Sequence, residues 1–335
     1  MTDWLEQLRY DPLLPLIFTD NKAVACFAKR DLFDDRENSV ASLWTLPAVQ
    51  KLLKRQQADG SWRYHGGKPE VRSQQQYNQL ETYRVVGELV EKYGFTRAHP
   101  ALEKAAEFLL GFQTDEGDFR GIYGNQYTPN YSAAIMELLT KAGYGNDPRI
   151  EKGFQWLLAM RQQDGGWAIP LRTVGAKLDV TFTDYQTLKP DSARPSSHLI
   201  TGVVLRAFAA HDRYRTTEAA RTAGKLLISR LFQRDTYTDR GAPSYWTKFT
   251  FPFWFTDLLS ALDSLSLLGF TADEPKIKEA LDWFVTSQGE DGLWNLTLLK
   301  AKSDEDLRLW LGLAICRVFR RLYSKSSLEQ WRRSR

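Results

Sequence analysis

The chain has 335 residues, of which 43% are hydrophobic and 26% are charged, and its formal net charge is +4. This composition is typical of a soluble globular protein with a large core, and the modest, mixed charge does not indicate nucleic-acid binding. Cys26 and Cys316 are far apart in the sequence, which argues against a disulfide scaffold or a zinc ribbon. The start of the chain lacks secretory-signal features and no apolar run is long enough to cross a membrane, so we expect a cytoplasmic protein.

Residues 3–30 are predicted to form helices interrupted near Pro12 and Pro15, and the charged segment 31–38 is predicted to be a linker. Residues 43–323 then carry an internal repeat. Each copy has apolar residues 13, 10 and 9 positions before an aromatic residue, a glutamine or arginine six positions before it, and a glycine two positions before it. The aromatic residues of the four copies are Trp62, Phe119, Trp167 and Trp294.

The spacing within a copy predicts a helix, a turn and an aromatic plug. Apolar residues three and four positions apart lie on one face of a helix. We expect the glycine to end that helix as a left-handed C-terminal cap. The aromatic ring then folds back onto the helix end, and the glutamine amide binds free backbone groups.

Four further helical segments are apolar on nearly every face, namely 131–142, 198–210, 255–268 and 307–323. A helix without a polar face is buried on both sides, whereas the repeat helices keep polar stripes. A further, degenerate copy of the repeat lies near Ala223. Together with this alternation it predicts one all-α domain over residues 1–335, an α/α toroid of about six helix pairs in two concentric rings. Residues 1–42 are expected to complete the ring. The β-branched stretch at 171–189 predicts a short hairpin or an irregular flap.

The segments QQADGSW, FQTDEGDF, RQQDGGW and SQGEDGLW resemble the QW repeats of squalene–hopene-type terpenoid cyclases and the related repeats of protein prenyltransferases. This resemblance implies an α/α toroid that acts on an isoprenoid or other apolar substrate. The sequence has neither the acidic DxDD motif of class II cyclases nor the Asp/Cys/His zinc set of the prenyltransferases. We therefore expect a terpene cyclase-like isomerase, lyase or transferase without either motif, and no cofactor or metal.

Candidate proton-transfer residues precede or begin the apolar helices, whose N-terminal ends collect at one mouth of a toroid. Asp257 lies in an otherwise apolar stretch and requires a partner, which His198 on a neighbouring inner helix could provide. His198 is a proton donor or acceptor close to neutrality, or a helix-start residue bound to backbone. Asp304 and Asp306 provide an acid, or they cap the last helix.

Six aromatic residues are predicted to bind substrate, because π faces hold an apolar polyene and stabilise a carbocation. They are Tyr77, Tyr131, Trp246, Phe253, Trp254 and Trp310. The same rings suit two other roles, stacking on sugars and core packing. The alternative functions are therefore a carbohydrate-active toroid, with Arg72, Arg84 or Arg194 contacting uronate groups, and a non-catalytic binding scaffold.

The C-terminal tail, 324–335, is strongly basic and contains Trp331. Such a tail can rest on an anionic membrane surface, which suits a lipid substrate, or it is a solvated end. The expected partners are therefore a small apolar substrate and a membrane contacted peripherally through this tail. The sequence specifies no oligomeric state.

Overall fold

The computed structural model describes residues 4–35, 39–68, 70–176, 186–237, 240–299 and 304–323. Within these ranges every regular element is a helix, so the predicted all-α class is confirmed. The basic tail and residues 177–185 of the predicted flap lie outside the described residues. The α-helices are α1 (Leu13–Ile17), α2 (Lys22–Phe33), α3 (Pro47–Leu53), α4 (Gln74–Tyr93), α5 (Pro100–Leu110), α6 (Pro129–Leu139), α7 (Pro148–Ala159), α8 (Pro170–Thr173), α9 (His198–Ala210), α10 (Glu218–Ser229), α11 (Leu258–Leu267), α12 (Pro275–Thr286) and α13 (Glu305–Tyr323).

The chain divides into two compact units. The middle unit comprises the described residues of 41–223, and the terminal unit comprises those of 1–40 and 224–335. Each unit has its own buried apolar residues. They are described separately below.

Local sequence signals set the helix starts. Proline occupies the first turn of α3, α5, α6, α7, α8 and α12, where its missing N–H costs nothing because that position has no intrahelical acceptor. Helix α4 begins with a capping box in which Ser73 and Gln76 bind each other's backbone N–H groups, and it ends at Gly94 in the left-handed conformation.

In the middle unit, buried and half-exposed helices alternate along the chain. Helices α4, α6 and α9 form a row in which α6 contacts both of its neighbours, while α5 packs on α4 and α7 packs on α6. Nearly every residue of α6 and α9 is buried, whereas α5 and α7 keep one exposed face. Within this unit the predicted two-layer arrangement is confirmed.

In the terminal unit, α13 is the central helix. It contacts α11 on one side and α2 on the other, while α12 packs on α11 and α1 packs on α2 and α13. The N-terminal helices α1 and α2 therefore fold against the last helices of the chain, and the local pairing of layers matches that of the middle unit.

Each repeat aromatic folds back onto the end of its own helix. The indole Nε1–H of Trp62 donates to the carbonyl oxygen of Leu52 at 2.8 Å. Trp167 and Trp294 make the same bond to the carbonyl ten positions before them, at 2.7 Å and 2.8 Å. All three tryptophans are 1% exposed or less. The plug therefore satisfies a carbonyl that the end of an α-helix leaves without an intrahelical donor.

A hydroxyl on a buried helix anchors the backbone of the plug. The backbone N–H of Trp62 donates to Thr82 Oγ1 of α4 at 2.9 Å. The second and third copies repeat this bond at the same distance, from Phe119 to Ser132 of α6 and from Trp167 to Thr201 of α9. These fully buried hydroxyls explain why Thr or Ser occupies a buried position in each of these three helices.

The repeat glutamine connects its turn to the backbone of a segment that is distant in sequence. In the first copy, Gln56 Nε2 donates to the carbonyl of Gly60 in the turn at 2.9 Å and to that of Ala101 in α5 at 2.7 Å. The second and fourth copies repeat both bonds, from Gln113 to Gly117 and Arg149 and from Gln288 to Gly292 and Tyr10. The amide thus binds backbone groups, as predicted, and one of them belongs to a segment distant in sequence.

The predicted role of the repeat glycine as a helix cap is wrong. Helix α3 ends at Leu53, several residues before Gly60, and Gly60 lies in the turn with φ +88°. A β-carbon on Gly60 would lie 2.3 Å from the carbonyl oxygen of Lys104 in α5. Glycine is required both for its left-handed conformation and because the turn touches the backbone of the next helix.

This close approach predicts different costs for two glycine substitutions. Gly292 and Gly66 both have positive φ, but a β-carbon on Gly292 would lie 2.2 Å from Asp11 O, whereas one on Gly66 would meet nothing within 4 Å. Gly66→Ala should lose about 1–2 kcal/mol from backbone strain alone. Gly292→Ala should lose about 2–5 kcal/mol, because a steric clash is added. Urea unfolding measures the difference, and equal losses would contradict the contact.

Candidate functional site

Asp257 is the N-cap of α11 and is 2% exposed. Its Oδ1 accepts from the backbone N–H of Ser260 at 2.8 Å, and Ser260 Oγ accepts from the backbone N–H of Asp257 at 2.9 Å. This capping box and the positive end of the helix dipole favour the charged carboxylate. The local chemistry therefore suits a proton acceptor, or an anion facing a cation, better than a proton donor.

His198 is the first residue of α9 and is 5% exposed. Ser197 is the N-cap of this helix, with Oγ accepting from the N–H of Ile200 at 3.3 Å. The helix N-terminus disfavours a positive charge on the imidazole, so a neutral ring is favoured here. His198 belongs to the middle unit and Asp257 to the terminal unit. Their partnership stays a prediction.

The two carboxylates at the start of α13 are exposed and bind neighbouring groups. Asp304 Oδ1 accepts from the backbone N–H of Leu307 at 3.0 Å, which is the geometry of an N-cap. Asp306 accepts from the side-chain amide of Asn21, the N-cap of α2. The geometry shows the capping role that the sequence allowed, and an acid role for either residue stays a prediction.

Asp304 also borders a pocket of about 400 Å³ in the terminal unit. Arg308 crosses this region and forms ion pairs with Asp291 and Glu305. The pocket is lined by Trp294, Asn295, Leu296, Leu298, Asp304, Glu305, Arg308 and Leu311. The pocket is thus lined both by the plug residue Trp294 and by the charged residues at the start of α13.

The terminal unit contains an aromatic stack around Trp310, which is 1% exposed. Phe251 lies parallel to Trp310, with a centroid separation of 5.3 Å and an interplanar angle of 8°. Phe253 meets Phe251 edge-on at 5.4 Å, and Phe27 of α2 meets Trp310 edge-on at 5.8 Å. The structure thus brings Phe253 and Trp310 into one cluster through Phe251, which belongs to the same aromatic run of the sequence as Phe253.

The two remaining tryptophans predicted to bind substrate differ in exposure. Trp246 is 2% exposed, and its Nε1–H donates to the carbonyl of Gln233 at 2.9 Å. Trp254 is half-buried, and its backbone N–H donates to Thr250 Oγ1 at 3.2 Å. Trp246 therefore has a structural hydrogen bond, while Trp254 keeps part of its ring surface accessible.

The predicted tyrosines of the middle unit lie at the starts of α4 and α6. Tyr77 is half-buried and stacks on Tyr64, with centroids 5.5 Å apart. Tyr131 is buried, and its ring is met edge-on by Tyr83 at 5.9 Å and by Tyr123 at 5.6 Å. Burial raises the pKa of Tyr131 well above its usual value, so its hydroxyl stays protonated.

A buried ion network that we did not select from the sequence connects α6 and α9. Arg206 Nε donates to Glu137 at 2.9 Å, and Lys141 Nζ donates to Glu137 at 2.7 Å and to Glu91 at 2.6 Å. Burial raises the pKa of Glu137, but Arg206 and Lys141 outweigh it and hold the pKa below its usual value. The signal was present, because one acid and one base interrupt two helices that are otherwise apolar.

The arginines considered for uronate binding lie in different settings. Arg72 donates from Nε to the carbonyl of Ile122 at 3.0 Å and from Nη1 to that of Val71 at 2.7 Å. Arg84 and Arg194 are largely exposed and lie 3.7 Å and 3.5 Å from acids on their own segments. Arg72 therefore serves the backbone, and the other two form surface pairs.

Two general properties of the described ranges bear on function. No helix among the described residues is both long and apolar enough to cross a membrane. In the same ranges, no three His, Cys, Asp or Glu side chains are grouped so that they could hold a metal ion.

Comparison with known proteins places these residues in a family context. The model of the squalene–hopene cyclase C-terminal domain matches residues 77–173 and 132–309, which together are more than half of the chain. A squalene–hopene cyclase from Bradyrhizobium diazoefficiens is 26% identical over 183 residues, which cover 51% of this chain. The matched region spans only 26% of that relative's length.

Among solved structures, the type II terpene cyclase MstE from Scytonema is 13% identical, and the alignment covers 84% of this chain and 97% of that one with a TM-score of 0.35. A polysaccharide lyase is 14% identical, with 93% and 91% covered and a TM-score of 0.43. Both likenesses are remote.

The Glu137 network predicts a specific pH dependence of stability. The folded-state pKa of Glu137 is depressed, so its carboxylate contributes to the free energy of unfolding above about pH 4.5. This contribution is lost as the pH falls through the folded-state pKa. Glu137→Gln should lose about 3–5 kcal/mol at pH 7, since two cations remain beside an uncharged amide. It should also flatten the decline of stability below pH 4.5.

Urea unfolding at several pH values measures this effect. The matched control is Glu290→Gln, which changes an exposed glutamate and should shift stability by less than about 0.5 kcal/mol. An acid profile of Glu137→Gln that parallels the wild type would show that the network contributes nothing to acid sensitivity.

Proposed function

The chain belongs to the squalene–hopene cyclase C-terminal domain family, and from this membership we propose that it is a terpenoid cyclase-like enzyme that binds an isoprenoid or other apolar substrate. The observation that carries the proposal is where the family match falls. Every candidate site residue except Trp310 lies within the matched residues 77–309. The relative matched in sequence is by name a squalene–hopene cyclase, an enzyme of an apolar isoprenoid substrate.

The aromatic side chains support an apolar substrate. The half-buried rings of Tyr77 in the middle unit and Trp254 in the terminal unit each suit contact with a hydrocarbon. A π face attracts a cation without reacting with it, so it stabilises the carbocations of a cyclisation. Removal of water from such a surface provides the binding energy for a hydrocarbon chain.

The proposed reaction is an isomerisation through a carbocation. A proton adds to one alkene carbon, a neighbouring double bond attacks the cation to close a ring, and a proton leaves from another carbon. We assign the removal of that last proton to Asp257, because the start of α11 stabilises a carboxylate at this position. His198 belongs to the middle unit and is proposed separately as a proton acceptor. We assign no residue to the acid that begins the reaction, because Asp304 and Asp306 are exposed carboxylates that accept hydrogen bonds from Leu307 and Asn21.

The substitution that tests this assignment is Asp257→Asn. Asparagine caps a helix as well as aspartate does, so the melting temperature should change by only a few degrees. Turnover should fall about 100-fold or more, because the proton acceptor is lost. The assay is incubation with linear polyprenyl hydrocarbons and alcohols, followed by gas chromatography with mass spectrometry of the products.

Asp147→Asn is the matched control, since Asp147 is the N-cap of α7 and accepts from the N–H of Arg149 at 2.8 Å. It should leave turnover unchanged. Full turnover in Asp257→Asn would remove that residue from the mechanism. Unfolding of the variant would show that its role is structural, and no product from wild-type protein with any polyprenyl substrate would overturn the proposed function.

A further inference from the structure

Two buried polar side chains of the middle unit face each other across Gly121. Gln79 lies in the second turn of α4 and is 0% exposed, and Tyr131 lies in the first turn of α6 and is 5% exposed. A β-carbon on Gly121 would lie 2.5 Å from Gln79 Oε1 and 3.1 Å from Tyr131 Oη. The two polar groups therefore lie beside the same glycine, Gly121.

Neither group is satisfied within the described residues. Both the oxygen and the nitrogen of the Gln79 amide lack a hydrogen-bond partner there, and so does the Tyr131 hydroxyl. Buried polar groups nearly always have a hydrogen-bond partner, because burial removes water as a partner and an unpaired buried group is costly. Gln79 and Tyr131 are therefore two buried polar side chains that can each form a hydrogen bond to a further group.

The chemistry of the two groups defines what that molecule offers. A glutamine amide both donates and accepts, and a protonated tyrosine hydroxyl does the same. An alcohol hydroxyl donates to one of them and accepts from the other, whichever way the amide is oriented. Both groups are uncharged, so they favour a neutral oxygen over a phosphate or a carboxylate.

The surroundings of the pair suit an apolar molecule that carries this oxygen. The Tyr131 ring is enclosed by the edges of Tyr83 and Tyr123, and Tyr123 is half-buried in the short 3₁₀ turn Gly121–Tyr123. Gly121 has φ +51°, which a larger residue rarely adopts, and any side chain there would press on Gln79 and Tyr131. Glycine is therefore required here, because the backbone is packed directly against both polar side chains.

We propose that Gln79 and Tyr131 form a binding site for the hydroxyl group of an isoprenoid alcohol. This inference rests on the proposed function, since it assigns the polar end of the same apolar substrate. The substrate is then an oxygenated isoprenoid and not a pure hydrocarbon. Gln79 and Tyr131 recognise it, and neither takes part in the chemical step.

The test compares geranylgeraniol with its deoxy hydrocarbon, which has the same chain without the hydroxyl. The two ligands compete for the full-length protein in native mass spectrometry. The wild type should bind the alcohol about tenfold more tightly, as expected for hydrogen bonds to two otherwise unpaired groups. Tyr131→Phe and Gln79→Met, which are close to isosteric, should each reduce this preference and leave the affinity for the hydrocarbon unchanged.

Tyr144→Phe is the matched control. Tyr144 is 5% exposed, as is Tyr131, and its hydroxyl also has no hydrogen-bond partner within the described residues, but it lies in the π-helical turn Thr140–Tyr144. This variant should keep the tenfold preference. A preference lost in the control as well would show a general effect of removing a buried hydroxyl and would overturn the inference.

The remaining outcomes separate the inference from the proposed function. Equal affinity of the wild type for both ligands overturns the inference and leaves the proposed function standing, whereas binding of neither ligand overturns both. In a further outcome, ligand-free Tyr131→Phe melts several degrees lower than the wild type but keeps the preference for the alcohol. This would identify the Tyr131 hydroxyl as the partner of a structural water. That result also overturns the inference.

Discussion

The structure depends on one side-chain amide, the repeat glutamine, and on the carbonyl groups that it binds. Gln56 and Gln113 each bind the glycine carbonyl of their own turn and a carbonyl at the start of the next repeat helix, and Gln288 binds Gly292 of its turn and Tyr10 of the N-terminal segment. A hydrophobic contact can slide, but two directional bonds from one planar amide hold a turn and a helix start in a single register. Consecutive pairs of helices are thereby joined at the same point in each copy.

This connection also explains how an all-helical chain positions chemistry. The plug and the glutamine fix the ends of the half-exposed helices, and the hydroxyls of Thr82, Ser132 and Thr201 fix the plug to the buried helices. Polar residues such as Asp257, His198, Gln79 and Tyr131 begin or lie near the start of buried helices, where free N–H groups and the helix dipole act. Repeated packing elements therefore support the residues of the candidate site.

Periodicity was enough to predict the helices, their alternation in burial and the folding back of the aromatic residues. It did not predict the role of the repeat glycine, because that role depends on the backbone of the next helix, which lies far away in sequence. The capping partner of Asp257 is Ser260, three positions on, so this contact was readable as a local pattern. The role of Gln79 could not be predicted from the sequence, because it depends on the lack of a hydrogen-bond partner for its amide within the described residues.

The central claim is tested most directly at Gln288, which is 5% exposed and makes four hydrogen bonds. Its Nε2 donates to Tyr10 O and Gly292 O, and its Oε1 accepts from the N–H groups of Arg9 and Tyr10. The measurement is equilibrium unfolding of Gln288→Leu, with hydrogen exchange at those two amides. The account predicts a loss of about 2–4 kcal/mol and faster exchange at both amides. Stability within about 0.5 kcal/mol of the wild type and unchanged exchange would contradict it.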